Sequence, residues 1–116
     1  MFWMCIDLNG KTAPLVHHVI VRADLPIGSQ VAQSIHAAAE SAVPKPEPGC
    51  IAIALHARNE DHLLQLSAAL DARGINHHQV IEGDGEYIGQ LMAIGVYPTR
   101  DRDAVKKVLS SLPLVR

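Results

Sequence analysis

The first third of this 116-residue chain passes from a strand pattern directly into a helix pattern, and a junction of this kind belongs to α/β architectures. Residues 16–21 (VHHVIV) are rich in β-branched residues, and residues 22–28 carry turn residues that stop a strand. From Ser29 the sequence reads SQVAQSIHAAAESA, and Ser29 is placed to cap the first helical turn. The apolar residues at helical spacing are Val31, Ile35, Ala38 and Ala39. A strand ending near Arg22 and a helix beginning at Ser29 are predicted.

The remaining chain continues the same alternation after a connector with three prolines at residues 43–50. The predicted strands are Cys50–His56, Ile75–Ile81 and Gln90–Val96, and the predicted helices run from Asn59 to Gly74 and from Asp101 to Leu109. The order β-α-β-α-β-β-α predicts an α/β domain at residues 15–116, with helices covering a four-stranded sheet. Residues 1–14 do not fit the pattern and are predicted to be an N-terminal extension that forms an edge strand, a dimer contact or a tail.

Composition excludes several classes of protein. The chain has 48% hydrophobic residues but only four aromatic ones, which predicts one aliphatic core. Its longest apolar stretch, at residues 50–55, is far shorter than the roughly 20 residues of a membrane span. Cys5 and Cys50 show no C-x-x-C spacing and follow no secretory segment. A cytoplasmic protein with no membrane partner is expected.

Basic residues gather near the C-terminus although the net charge is −2. The cluster consists of Arg100, Arg102, Lys106 and Lys107. Such a cluster is a candidate for phosphate contact. The alternative is a solvated helix face that also carries Asp101 and Asp103.

Polar residues follow two of the predicted strands. Arg22 and Asp24 leave the first strand, Gln33 and His36 share one face of the first helix, and Glu82, Asp84 and Glu86 leave the third strand. If the first and third strands are close in the sheet, these groups line one cleft, beside the unpaired N–H groups of the first helical turn. For His36, the alternative is a histidine satisfied within the helix packing.

Two histidine pairs, His17-His18 and His77-His78, suggest metal binding at first sight. Neighbouring strand residues point to opposite faces, so each pair offers one imidazole to either side, and no third ligand is evident. The sequence contains no P-loop, no G-x-G-x-x-G and no G-x-S-x-G. We therefore expect neither a metal nor a cofactor.

The strand-turn-helix segment resembles the opening of the type II, archaeal-type peptidyl-tRNA hydrolases, in which V-R-x-D-L leads through a glycine turn into G-K-x-A-A-Q-x-x-H-A-A. The matching residues are Arg22, Asp24, Leu25, Gly28, Gln33, His36, Ala37 and Ala38. The resemblance runs more loosely from His17 to the C-terminus. It implies a three-layer α/β fold, with a mixed four-stranded sheet and helices on both faces.

The chain departs from that family's pattern at two places, so it resembles a divergent branch of the family. Ser29 stands where the family has a lysine that is a proposed catalytic residue. The family's D-A-G-R-T-Q loop is replaced by residues 82–89, which contain no threonine and place Glu82 near the aspartate position.

The resemblance implies hydrolysis of the ester that joins a peptide, or an N-blocked amino acid, to tRNA. Glu82 or Asp84 is expected to orient the water, Arg22 or the N–H groups after Gly28 to stabilise the oxyanion, and Gln33 and His36 to position the reacting groups. The predicted catalytic residues are thus Glu82, Asp84, Arg22 and His36. The predicted substrate-binding residues are Asp24, Gly28, Ser29, Gln33, Arg100, Arg102, Lys106 and Lys107.

Two other functions remain open at this point. One is a non-catalytic member of the same fold that binds tRNA ends or a protein partner. The other is a ferredoxin-like domain that binds a small regulatory ligand, since helices on a four-stranded sheet also fit that pattern. A homodimer is compatible with each of these functions.

Overall fold

A computed structural model describes residues 13–116 of the chain. The elements are β1 (Val16–Arg22), α1 (Ile27–Ser41), β2 (Ile51–Ala57), α2 (Glu60–Ala72), β3 (His77–Ile81), β4 (Leu91–Val96) and α3 (Arg102–Leu109). The predicted element order is confirmed. The predicted N-terminal extension lies outside the described residues, except for Ala13 and Pro14, which precede β1 without regular secondary structure.

The four strands form one mixed sheet in the order β2-β1-β4-β3. β1 and β2 are parallel, whereas β4 is antiparallel to both of its neighbours, β1 and β3. The C-terminal ends of β1 and β3 therefore lie at the same edge of the sheet as the N-terminal end of β4. This topology differs from the ferredoxin-like alternative, whose elements follow the order β-α-β-β-α-β.

Helices cover both faces of the sheet, as expected. Val19 and Val21 pack with Ala37 of α1 on one face. Ile20, between them in sequence, packs on the other face with Leu63 of α2 and Val105 of α3. Alternation along the buried β1 thus divides the core into two layers and gives a three-layer α/β domain.

The N-terminus of α1 differs from the prediction. The helix begins at Ile27, its N-cap is Pro26, and no side chain caps it. The carbonyl of Pro26 accepts the N–H of Gln30 at 3.0 Å, so the helical bonding starts before Ser29. Ser29 was expected to be the cap, and instead it occupies the first turn. Pro26 has an extended backbone conformation (φ −54°, ψ 149°), so the chain changes directly from extended to helical at this residue without a capping side chain.

The buried face of α1 is also different from the one that its apolar residues suggest. Val31 and Ile35 are 55% and 63% exposed. The buried residues of the helix are Gln30, Gln33, Ala37 and Ser41. The reason is a close approach to β4, where a Cβ on Gly95 would overlap the carbonyl of Ala37 and the side chain of Ser41. Only small or hydrogen-bonded side chains fit at this interface.

The ends of the other helices follow local sequence signals. The side chain of Asn59 caps α2 by accepting the N–H of His62, and Gly74 ends the segment with a positive φ of 67°. The side chain of Asp101 caps α3 by accepting the N–H of Ala104. Within residues 13–116, the helices are too short or too polar to cross a bilayer.

Candidate functional site

Three strand ends bring polar side chains together at one edge of the sheet. Arg22 ends β1, Glu82 follows β3, and Gln90 precedes β4, which lies between those two strands. Two strand spacings separate β1 from β3, or about 10 Å. Gln90 connects the two sides, since its side-chain Oε1 accepts Arg22 Nη1 at 2.8 Å and its carbonyl accepts the N–H of Glu82 at 3.0 Å.

The guanidinium of Arg22 is buried and bound on three sides. Its Nε and Nη2 each donate to one carboxylate oxygen of Asp24 at 2.9 Å, in a bidentate pair. Its Nη1 donates to Gln90, and the ring of Tyr87 lies 5.5 Å from the guanidinium carbon. The Arg22 side chain is 6% exposed, whereas that of Asp24 is 40% exposed. Arg22 therefore anchors the edge of the sheet and holds Asp24 at the surface.

The ion pair shifts both groups toward their charged forms. The hydrogen bonds from Arg22 hold the pKa of Asp24 below its ordinary value, and burial of the carboxylate only partly opposes this. The bond to Asp24 likewise raises the pKa of Arg22. Asp24 consequently remains an anion that accepts hydrogen bonds, and Arg22 has its charge compensated by a neighbour.

The carboxylate of Glu82 is held by two hydrogen bonds. Its Oε2 accepts Nε2 of the buried Gln33 at 3.1 Å, and its Oε1 accepts the N–H of Gly83 at 3.0 Å. Glu82 is partly exposed, so one side of the carboxylate faces solvent. The other predicted base, Asp84, is exposed in the same loop and makes no hydrogen bond within the described residues. Of the two carboxylates, Glu82 has the fixed orientation that a general base requires.

One flank of α1 faces β3. Gln33 bonds to Glu82, and Glu40, two turns further on, pairs with His78 of β3 at 2.9 Å. Ser29 lies one turn before Gln33, and His36 lies three residues after it, so both belong to this flank. His36 is exposed and forms no hydrogen bond with residues 13–116. It therefore differs from a histidine satisfied within the helix packing.

The start of α1 supplies unpaired backbone donors about one turn before Gln33. Because the first helical bond runs from Gln30 to Pro26, the N–H groups of Ile27, Gly28 and Ser29 precede the bonding pattern. From the sequence, the unpaired N–H groups were expected after Gly28. In the structure they begin earlier, at Ile27, directly after Pro26. They carry the positive end of the helix dipole.

Four polar residues at this edge were not predicted from the sequence. Gln90 joins Arg22 to Glu82, and Glu60 of α2 accepts the N–H of Leu91 at 2.7 Å. Gln30 donates to the carbonyls of Ala23 and Leu25, while its Oε1 lies 2.6 Å from His56 Nε2 at the end of β2. Gln90 and His56 could have been found from their positions, because they lie at the ends of strands that the topology brings to the same edge.

The predicted basic cluster does not join this edge. Thr99 pairs with Val16 at the opposite end of β1, about 20 Å from Arg22 along the seven-residue strand. Arg100, next in sequence, donates to the carbonyl of Ala13 at 2.7 Å. Arg102, Lys106 and Lys107 follow on α3. The predicted substrate-binding residues thus form two separate groups.

The histidines of β1 point to opposite faces, as predicted. His17 lies under α1, where its Nε2 is 2.7 Å from the hydroxyl of Ser41. His18 faces α3 and lines a cavity with Arg102. Within the described part of the chain, no three histidine, cysteine or acidic side chains gather to hold a metal ion.

Comparisons with protein-family models and with curated proteins gave no match to the chain.

Proposed function

We propose that the chain hydrolyses the ester between tRNA and a peptide or an N-blocked amino acid, as a divergent member of the type II peptidyl-tRNA hydrolase family. The observation that carries the proposal is the oriented carboxylate of Glu82, held by Gln33 one turn after Ser29 on α1. Gln33 belongs to the motif that resembles the family, and Glu82 stands near the family's aspartate position. A base, backbone donors and a solvent-facing side then lie at one edge of the sheet.

The reaction proceeds in two steps at this edge. Glu82 accepts a proton from water as the water oxygen attacks the ester carbonyl, and the carbonyl oxygen becomes an oxyanion. The intermediate then collapses, the bond from the carbonyl carbon to the ribose oxygen breaks, and that oxygen takes the proton from Glu82. The products are a free carboxylic acid and a tRNA with a free terminal hydroxyl.

The backbone N–H groups at Gly28 and Ser29 suit the oxyanion better than Arg22 does. Both are unpaired within the helix and lie at the positive end of its dipole. The Nε, Nη1 and Nη2 atoms of Arg22 already donate to Asp24 and Gln90. Arg22 is therefore a positioning residue, while the exposed carboxylate of Asp24 and the imidazole of His36 are available to bind the terminal nucleotide.

Binding of tRNA also requires phosphate contacts. Lys106 and Lys107 are exposed on α3, which covers the opposite face of the sheet from α1 and Gln33. An acceptor stem that contacts them would have to pass from the reacting ester to that other face of the sheet. With a net charge of −2, few such contacts are available, so a weak dependence of affinity on salt is expected.

Hydrolysis of an N-acetylated aminoacyl-tRNA by the purified chain tests the proposal. Glu82→Gln keeps the shape of the side chain but removes the base, so kcat should fall by a factor of about 10² to 10⁴. Glu86→Gln, a change to an exposed carboxylate of the same loop, is the matched control and should leave the rate unchanged. Equal activity of the two variants would exclude Glu82 as the base.

A second candidate is a non-catalytic protein of this fold that binds tRNA ends or a protein partner. It is favoured by Ser29, which supplies no charge at the lysine position, and by the compensated charge of Arg22. An unmodified chain that binds the acylated tRNA and leaves its ester intact would support this candidate. The homodimer stays a prediction, and α1 carries an exposed apolar row that consists of Ile27, Val31 and Ile35.

A further inference from the structure

The cavity lined by His18 and Arg102 lies on the sheet face that α2 and α3 cover. It encloses about 230 Å³ between β1, β2, α3 and the C-terminal segment. That segment runs along the outer edge of β2, where the carbonyl of Pro113 accepts the N–H of His56 and the N–H of Val115 donates to Ala54. The cavity is therefore a built feature of the fold, with backbone bonds on its outer side.

A buried histidine without a partner lies in the wall of this cavity. His18 is only 4% exposed, and its Nδ1 has no hydrogen-bond partner among the described residues. By contrast, the neighbouring His17 bonds to Ser41 on the other face. Buried polar atoms are rarely left unsatisfied, because each one costs about 1–3 kcal/mol. Because the His18 side chain lines the cavity, a group that enters there and meets the imidazole can supply the missing hydrogen bond.

Two cations stand beside His18. Arg102 and Lys106 lie one turn apart on α3, and both line the cavity together with Ser110, one further turn along. Neither cation forms a salt bridge with any residue from 13 to 116. Lys107, the next residue, does not line the cavity. The cavity therefore has one cationic side with unused hydrogen-bond donors.

Burial, together with the positive charge of Arg102, lowers the pKa of His18 to about 4. The imidazole is consequently neutral at pH 7 and has one N–H to donate. A neutral donor adds a hydrogen bond to an anion without burying a further charge.

The rest of the wall is aliphatic. The apolar residues are Ile53, Leu55, Leu109, Leu112 and Leu114. A purely ionic ligand would leave these aliphatic side chains exposed to water. An uncharged ligand would leave the donors of Arg102 and Lys106 without an anionic acceptor. The volume equals that of about eight water molecules, which suits a short aliphatic chain.

We propose that this cavity binds a small amphipathic carboxylate, with its anionic head at Arg102, Lys106 and His18 and its aliphatic body against the leucine side chains. The site lies four residues from Arg22 along β1 and shares no side chain with the group around Glu82 that is proposed to hydrolyse the ester. It gives Arg102 and Lys106 a role other than phosphate contact with tRNA.

Hexanoate is the probe, titrated into the full chain by calorimetry and by NMR of the histidine side chains. We expect hexanoate to bind and to shift the imidazole signals of His18. Hexan-1-ol lacks the charge and inorganic phosphate lacks the aliphatic body, so each should bind at least about tenfold more weakly. Equal binding of hexan-1-ol, equal binding of phosphate, or an unshifted His18 signal would overturn the proposal.

Variants of α3 test the cationic side. Arg102→Gln and Lys106→Gln should each weaken hexanoate binding by roughly tenfold, as expected for the loss of one charge-assisted hydrogen bond. Lys107→Gln removes the same charge from the same helix outside the cavity and should change the affinity little. All three positions are exposed, so folding is expected to persist and is checked by circular dichroism. An equal effect of the three variants would show a general charge effect and contradict a specific site.

Discussion

Buried polar side chains hold the edge of the sheet around Arg22 and Glu82 through bonds to specific partners. The guanidinium of Arg22 is fixed by Asp24 and Gln90, and the amide of Gln33 is fixed by Glu82. Such groups stabilise a fold only while their partners are present, because an unpaired buried group keeps its full desolvation cost. The same bonds orient Glu82 and Asp24 toward the site.

Asp24→Asn tests the Arg22 pair. The variant leaves a buried cation without its charged acceptor, so the free energy of unfolding should fall by about 1–3 kcal/mol. Urea denaturation followed by circular dichroism measures the change. Asp84→Asn, an exposed loop position, is the control and should be close to neutral. A loss of similar size in both variants would mean that the pair has no special contribution.

Ser29→Lys tests the role of the position where the family that this segment resembles has a lysine. An ammonium one turn before Gln33 would lie within reach of Glu82, favour its charged form and make it a weaker base. If Glu82 is the base, kcat/KM for an N-acetylated aminoacyl-tRNA should decrease. Ala32→Lys adds the same charge to an exposed position of α1 and should have little effect. An increased rate in Ser29→Lys would favour the family's lysine-dependent route.

The packing of α1 on β4 shows how one residue decides the orientation of a whole element. Gly95 leaves room for Ala37 and Ser41 to approach the strand closely. The helix consequently buries its small and amide side chains and exposes Val31 and Ile35. This orientation turns Gln33 toward Glu82, so the packing of the element directly determines the geometry of the site.

Gly95→Ala should therefore be costly. The added methyl group meets backbone and a fully buried side chain, which cannot move away as a flexible surface chain would. We expect a loss of about 1–3 kcal/mol in the free energy of unfolding, as for other overpacked cores. Gly28→Ala is the matched control, because nothing lies within 4 Å of the added Cβ. A Gly95→Ala variant as stable as the control would contradict the close approach.

Stability of the molecule as a whole should depend on pH through its buried histidines. Burial lowers the pKa of both His17 and His18, and that of His18 falls from 6.5 to about 4. The unfolded chain therefore binds more protons than the folded one between pH 6.5 and 4. The free energy of unfolding must then decrease as the pH is lowered through this window.

The His18 shift alone corresponds to about 3 kcal/mol of stability that is present above pH 6.5 and lost by pH 4. Urea unfolding at one-unit steps from pH 7 to pH 4 measures the slope. His18→Gln should flatten it, because the variant removes the group whose pKa is lowered on folding. An unchanged slope in His18→Gln would show that His18 does not titrate as proposed.

Local chemistry determined the elements of this protein. The β-branched run at residues 16–21, the cap at Asn59 and the positive φ of Gly74 act over a few residues, so the sequence alone predicts β1 and the limits of α2. The alternation of strands and helices likewise predicts an α/β sheet covered by helices. The polar residues around Arg22 and Glu82 follow from their places at strand ends.

Contacts between residues far apart in sequence decided the buried face of α1, the strand order and the grouping of the polar side chains. Periodicity predicts that α1 is a helix, but only the approach of Gly95 settles which side of it is buried. Insertion of β4 between β1 and β3 places Gln90 where it joins Arg22 to Glu82. The basic residues of α3 are separated from Glu82 because α3 packs on the face of the sheet opposite α1. Strand order and steric fit depend on residues far apart in sequence, so no local pattern encodes them.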